Sequence, residues 1–411
     1  MADGVEEALT APNLPTWKRG APPVAEAGRH FMVRPEIAYL NHGGYGARSR
    51  PVFETYQRWQ LELEAQPTEF LARRLPDLLA EARANLAVYL GASADNLVFV
   101  PNATHGMNII ARSLELAPGD EVLGTDHEYG AVERTWRFVC ERQGALYRTQ
   151  PIPLPVTSAE AVVEQLWQGV TKRTRMIVVS HLTSPTALIF PVAEIARRAA
   201  AQGILTAVDG AHAPGQIDLN LDTIGADFYV GNGHKWMSGA VGAGFLYARP
   251  NRQRLLKPLV VSWGWQPREP GPSPFQDYFG WIGTDDPAAY LSTPTAIAFQ
   301  RAHDWPKVRA ACHALASQTQ AQITAITGLS PISPDSLEWW SQMCVAPLPI
   351  AENLSAKEAQ RYLWEEYQVE IPIVDWQGYR FVRLSIQAYN SVADAERLVD
   401  GLKGLQLARP T

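Results

Sequence analysis

Two side chains at the ends of apolar runs carry the chemistry that can be read first. Lys235 follows Asp227-Phe228-Tyr229-Val230-Gly231-Asn232-Gly233-His234, a strand-like run that ends in a glycine turn. An amine placed there is withdrawn from water, which favours its neutral form and makes it a nucleophile toward a carbonyl. Asp209 closes a second apolar run, Leu205-Thr206-Ala207-Val208-Asp209, one helix-sized connection earlier. Ligands of open α/β sheets bind outside the carboxyl ends of the strands, so both groups face one crevice. An aldehyde-binding amine and an anion that keeps a pyridine nitrogen protonated form the pair that pyridoxal 5′-phosphate (PLP) requires. Lys235 is therefore read as the Schiff-base lysine and Asp209 as the ring-nitrogen partner.

The surrounding pattern supplies elements to hold such a pair. Strand-like runs at 97–100, 121–124, 176–180, 205–209, 227–230 and 244–247 are spaced by helical runs near 104–114, 131–143, 159–169 and 191–202. Apolar strands spaced by amphipathic helices predict an α/β fold with a mostly parallel sheet covered on both faces. Two further helices are expected over 51–66 and 76–90. Residues 250–290, rich in Pro, Gly and Trp, read as a long functional loop. A long helical region about 295–327 and a strand, helix, strands, helix pattern about 340–411 complete the chain. The expected division is an N-terminal arm at 1–28, a large domain at 29–290, and a connecting helix with a small C-terminal domain at 291–411.

Composition narrows the function. The chain has 411 residues and a formal net charge of −6 without a basic run, which gives no reason to expect nucleic acid. Its three cysteines, Cys140, Cys312 and Cys344, never form a CxxC pair, which argues against a disulfide framework or a cysteine metal site. His127-Glu128 lacks further ligands at metal spacing, so no metal is expected. The glycines at 239, 242 and 244 lead toward a strand instead of a helix, unlike a dinucleotide-binding turn. No signal-peptide pattern or apolar run of about 18 residues is visible, so a cytoplasmic location is expected.

Asp209-x-x-His212 followed by Gly233-His234-Lys235 resembles the class V aminotransferase family, and the resemblance runs from about residue 36 to 390. It implies PLP fold type I, with a mostly parallel seven-stranded-type sheet and a small C-terminal α/β domain. Three segments are similar to the isopenicillin N epimerase-like branch: Tyr39-Leu40-Asn41-His42-Gly43-Gly44-Tyr45-Gly46, Phe99-Val100-Pro101-Asn102-Ala103-Thr104-His105-Gly106, and Trp281-Ile282-Gly283-Thr284-Asp285-Asp286-Pro287.

Ala103-Thr104-His105 opens a helix directly after a strand, where free backbone N–H groups favour an anion. By the resemblance that anion is the cofactor phosphate, shared with Asn232 and His234. The resemblance also places His212 on the phenolic oxygen and Tyr129 on the pyridine face. Arg383, on an alternating run from Tyr379 to Ser385, is the expected α-carboxylate ligand, because a guanidinium fork fits a carboxylate. Asn41 and His42 are expected near that carboxylate. Gly283-Thr284 matches a pair that relatives lend to a neighbouring subunit's phosphate, which implies a C2 homodimer with shared active sites.

The expected activity is epimerisation or racemisation at the α-carbon of a small-molecule amino acid. The alternatives are a C–S β-lyase similar to hercynylcysteine sulfoxide lyase, a cysteine desulfurase-like reaction and transamination. Cys344 lies in an apolar strand-like run and reads as buried, against the desulfurase. Tyr129 is the expected second acid/base, with His127 or His42 as substitutes.

Overall fold

The computed structural model describes residues 22–350 and 354–407. Its large sheet has seven strands: β1 (Leu97–Val100), β2 (Glu121–Thr125), β3 (Leu146–Gln150), β4 (Thr174–Ser180), β5 (Leu205–Asp209), β6 (Phe228–Asn232) and β7 (Gly244–Ala248). Their order is β1-β7-β6-β5-β4-β2-β3. β7 runs antiparallel to both of its neighbours, and the other neighbouring pairs are parallel. The carboxyl ends of β1 to β6 therefore lie along one edge, as the reading of Lys235 and Asp209 requires.

Helices cover both faces. Here α1 is Arg50–Ala65, α2 Leu75–Leu90, α3 Ala103–Ser113, α4 Gly130–Gln143, α5 Ala159–Trp167 and α6 Val192–Ala201. Strand side chains alternate between faces. Met176 and Val178 of β4 join one apolar cluster with Ile110 of α3 and Trp136 of α4. Ile177 and Val179 join another with Ile195 and Ala199 of α6. A strand buried from both sides explains the unbroken apolar run of β4.

β3 was not among the expected strands. It is an edge strand whose Leu-Tyr-Arg-Thr-Gln sequence is mostly exposed, so burial never imposed an apolar signature on it. The 250–290 segment holds a short helix, α7 (Pro274–Gly280). The expected long helix is two, α8 (Thr293–Ala302) and α9 (Trp305–Thr327), broken where Asp304 takes φ 47°.

The C-terminal part pairs β8 (Met343–Leu348), β9 (Ile373–Trp376) and β10 (Tyr379–Ser385) in an antiparallel sheet ordered β9-β10-β8. It carries α10 (Ala356–Tyr367) and α11 (Val392–Leu407). The N-terminal segment runs along this part. The Val24 and Ala25 N–H groups donate to the Asn390 and Ala388 carbonyls, and Ala38–Tyr39 pairs in parallel with Val369–Glu370. Most of the expected N-terminal arm lies outside the described residues. Among the described residues no helix is long and apolar enough to cross a membrane.

Candidate active site

A cavity of about 520 Å³ opens at the carboxyl ends of the parallel strands. Lys235, Asp209, His212, Asn232, Thr104 and Tyr129 line it, so residues far apart in the sequence meet where the strand ends predict.

Lys235 Nζ lies 3.1 Å from His212 Nε2, while His212 Nδ1 accepts from Trp236 Nε1 at 3.2 Å. An indole N–H only donates, so neutral His212 carries its proton on Nε2. That N–H can meet a lone pair on Lys235 only when the amine is in its neutral form. Burial, and then the charge of Arg383, lower Lys235 to about 8, with Asp209 opposing. Burial holds His212 well below its usual range, helped by the Lys235 charge. The donor on Nε2 also suits the phenolic-oxygen role expected of His212. Asp209 is buried, which raises its carboxyl, and its Oδ1 accepts from the Ala211 N–H at 2.9 Å.

The phosphate end differs from the expected array of free amides. Asn102, not Thr104, caps α3, with Oδ1 accepting from the His105 N–H at 2.9 Å. Asn232 Oδ1 accepts from the Ala103 N–H at 2.8 Å. Of these three amides only Thr104 keeps its N–H and its hydroxyl for a ligand. His105 contributes a capped backbone and does not line the cavity. His234 Nδ1 is buried with no partner among the described residues. Burial, then the Lys235 charge, lower this ring to about 4. A phosphate beside Nδ1 raises the ring's proton affinity and forms a charge-assisted bond. Thr104, His234 and the free amide hydrogens of Asn232 thus fit the phosphate of PLP, as Lys235 and Asp209 fit its aldehyde and ring nitrogen.

Arg383 on β10 is 8% exposed. Its Nη1 donates to the Ser184 carbonyl and hydroxyl, and its Nε has no partner. No carboxylate pairs with it among the described residues. Burial lowers it to about 10, opposed by Tyr129. A buried guanidinium without a counter-ion is costly; Arg383 does not itself line the cavity, but its partner Ser184 does. Asn41 forms a bridge to Ser385 on the same strand, with its Oδ1 buried and unpartnered.

His42 is placed differently from expectation. Its ring is fully buried, with Nδ1 3.0 Å from the Tyr389 hydroxyl and Nε2 3.0 Å from the Lys235 carbonyl oxygen. It stands behind the lysine and does not reach the cavity. Gly46 completes this seat. It takes φ 74°, and a Cβ there would stand 1.9 Å from the His234 carbonyl oxygen. The Asn41–Gly46 motif therefore positions the lysine turn. His127 is also withdrawn, its ring buried between Thr186 Oγ1 at 2.7 Å and the Ile152 carbonyl at 2.9 Å. Neither histidine can replace Tyr129, which stands 47% exposed at the cavity. Gly283 and Thr284 do not line their own chain's cavity, and Thr284 is exposed.

Glu128, read from the sequence only as a partner of His127, has a different place in the structure. It is buried, and accepts from Thr125 Oγ1 at 2.7 Å and Ser180 Oγ at 2.6 Å. Its position next to Tyr129 at a strand end was the available signal.

The model of the family described as "Aminotransferase class-V" matches residues 39–398. The chain belongs to the class V aminotransferase family. This class V member is 34% identical to the isopenicillin N epimerase of Amycolatopsis lactamdurans over 393 residues, covering 93% of this chain and 98% of the relative. It is 35% identical to that of Streptomyces clavuligerus over 391 residues, covering 92% and 98%. A solved structure of C-DES with glycine covalently linked to the PLP cofactor shares the fold at a TM-score of 0.77. It is 19% identical, covering 89% of this chain and 96% of that one. The class V protein is a PLP-dependent enzyme of fold type I.

Proposed function

We propose that this enzyme inverts the configuration at the α-carbon of an amino acid, in the manner of an isopenicillin N epimerase. The observation that carries the reading is that two proton-carrying groups, Lys235 and Tyr129, come from separate strand ends into one cavity beside Asp209. Lys235 follows β6 and Tyr129 follows β2, while Asp209 ends β5 between them in the sheet. Inversion needs a proton taken from one face of the carbon and returned on the other. Arg383 binds the α-carboxylate, the neutral Lys235 amine takes the proton, and the Tyr129 phenol returns one. Bound PLP supplies the electron sink for the deprotonated carbon. The similarity to two isopenicillin N epimerases over nearly their whole lengths supports this choice.

The desulfurase alternative lacks a nucleophile. Among the described residues no cysteine lines the cavity, and Cys344 is buried in β8 with its thiol pushed up by burial. The PLP-loaded enzyme should be incubated with each enantiomer of candidate amino acids in deuterated water, following α-deuterium and chirality. Exchange with interconversion is expected. Pyruvate with a thiol or sulfenate from a cysteine conjugate, without interconversion, replaces this reading with a C–S β-lyase. A keto acid replaces it with transamination.

The active unit in this proposal is a C2 homodimer, in which Gly283 and Thr284 complete the partner's phosphate site. Their absence from the lining of the Lys235 cavity supports it, and so does the exposure of Trp263 (84%) and Val261 (67%) in the preceding loop. Sedimentation should show a dimer, and a fully active monomer overturns it.

A further inference from the structure

Glu128 has no part in the chemistry above, yet it is buried at the end of the sheet beside the ring-nitrogen carboxylate. Its two oxygens take different donors. Thr125 Oγ1, at the end of β2, donates to Oε1, and Ser180 Oγ, at the end of β4, donates to Oε2. Thr125 Oγ1 also accepts from the His127 N–H at 3.2 Å, which closes the turn leading to Tyr129. Ser180 stands level with Asp209 in the β4–β5 register. Both carboxylate oxygens are thus satisfied without a proton on Glu128, which follows β2 with β4 lying between it and the β5 that ends in Asp209.

We propose that Glu128 is a positioning residue that supports the protonated ring nitrogen of the cofactor through Asp209. A second fixed negative charge raises the proton affinity of the Asp209–ring-nitrogen pair, so the ring stays cationic to higher pH. The titratable groups around Glu128 are Asp209 on β5 and Tyr147 on β3, each of which senses its charge or is sensed by it. Lys235 faces Asp209 from the other side. Burial raises Glu128 itself to about 7, with the two hydroxyl donors opposing. The cationic ring held by Asp209 offsets that burial and favours the carboxylate. The assignment does not depend on whether the enzyme epimerises or eliminates.

The test uses holoenzyme reconstituted with PLP labelled with 15N in the ring. The ring-nitrogen NMR shift is titrated from pH 6 to 11 in the parent and in Glu128→Gln, which keeps the size and removes the charge. The midpoint for losing the ring proton should fall by at least about half a pH unit in Glu128→Gln. Ser180→Ala removes one donor and leaves the carboxylate more easily protonated. Its midpoint should fall as well, by less, which keeps the test open if Glu128→Gln does not fold. An unchanged midpoint in either folded variant overturns the proposal.

Discussion

His212 stands between Trp236 and Lys235, accepting from the indole through Nδ1 and presenting Nε2 to the amine at 3.1 Å. Burial of this amine, with the Arg383 charge, brings its neutral form within reach near physiological pH. With Lys235 lowered to about 8, covalent PLP capture by apoenzyme should quicken about tenfold per pH unit up to about 8 and then level off. A lysine at its ordinary value would keep climbing toward about 10.4. Stopped-flow absorbance across pH 6 to 10 reads the difference. Lys235→Ala should abolish fixation of PLP by borohydride, with peptide mapping as the check.

Arg383 should trade stability against binding. Replacing a buried charge without a counter-ion by an apolar side chain of similar size is often neutral or stabilising. Arg383→Met should therefore keep or raise the melting temperature. The same change removes charge-assisted bonds to the substrate carboxylate, so KM should rise about tenfold or more. A lower melting temperature with an unchanged KM assigns Arg383 to the scaffold alone.

Tyr129→Phe keeps the ring and removes the hydroxyl. PLP should stay bound, and one enantiomer should still exchange its α-proton through Lys235. Interconversion should slow about a hundredfold or more, the usual scale of a lost acid/base group. Interconversion at the parent rate makes Tyr129 only a platform.

Cys344→Ala should turn over substrate at nearly the parent rate, since the thiol sits in β8 away from the cavity. A folded variant slowed more than about a hundredfold, or about 2.7 kcal/mol in the barrier, returns the desulfurase reading to contention.

Buried and partly buried histidines make the fold sensitive to acid. Burial lowers His42 to about 3 and both His181 and His234 to about 4. Each stays neutral in the folded chain, while the unfolded chain takes up protons below about 6.5. The stability they supply is fully present above about pH 6.5 and is lost as pH falls toward 4. Thermal melts of apoenzyme should show the melting temperature declining from pH 6.5 to 4.5, and a flat profile rejects the assignment.

Lys235 and Asp209 were legible because a buried parallel strand advertises itself as an apolar run, and its carboxyl end is where ligands sit. Direction was not legible. Nothing in Asn41–Gly46 tells whether His42 looks into the cavity or behind the lysine; only the packing of Tyr389 and the Lys235 carbonyl decides it. Nor does a run of small and polar residues reveal which amides stay free, since Asn232 and Asn102 come from different elements to claim two of them. Glu128 escaped because its partners, Thr125 and Ser180, sit on separate strands whose adjacency depends on strand order.

The segment from Ala38 to Gly46 is held at both ends. It is laced to the C-terminal part through Val369 and Ser385 and pressed onto the lysine turn through His42 and Gly46. Ser385 shares a strand with Arg383. The strand that carries Arg383 and the turn that carries Lys235 are thus joined by one short strap, whose last residue, Gly46, leaves no room for a Cβ. The backbone of Lys235 is thereby tied to the small sheet through one short run of chain, so the two parts of the fold that border the cavity share a common anchor.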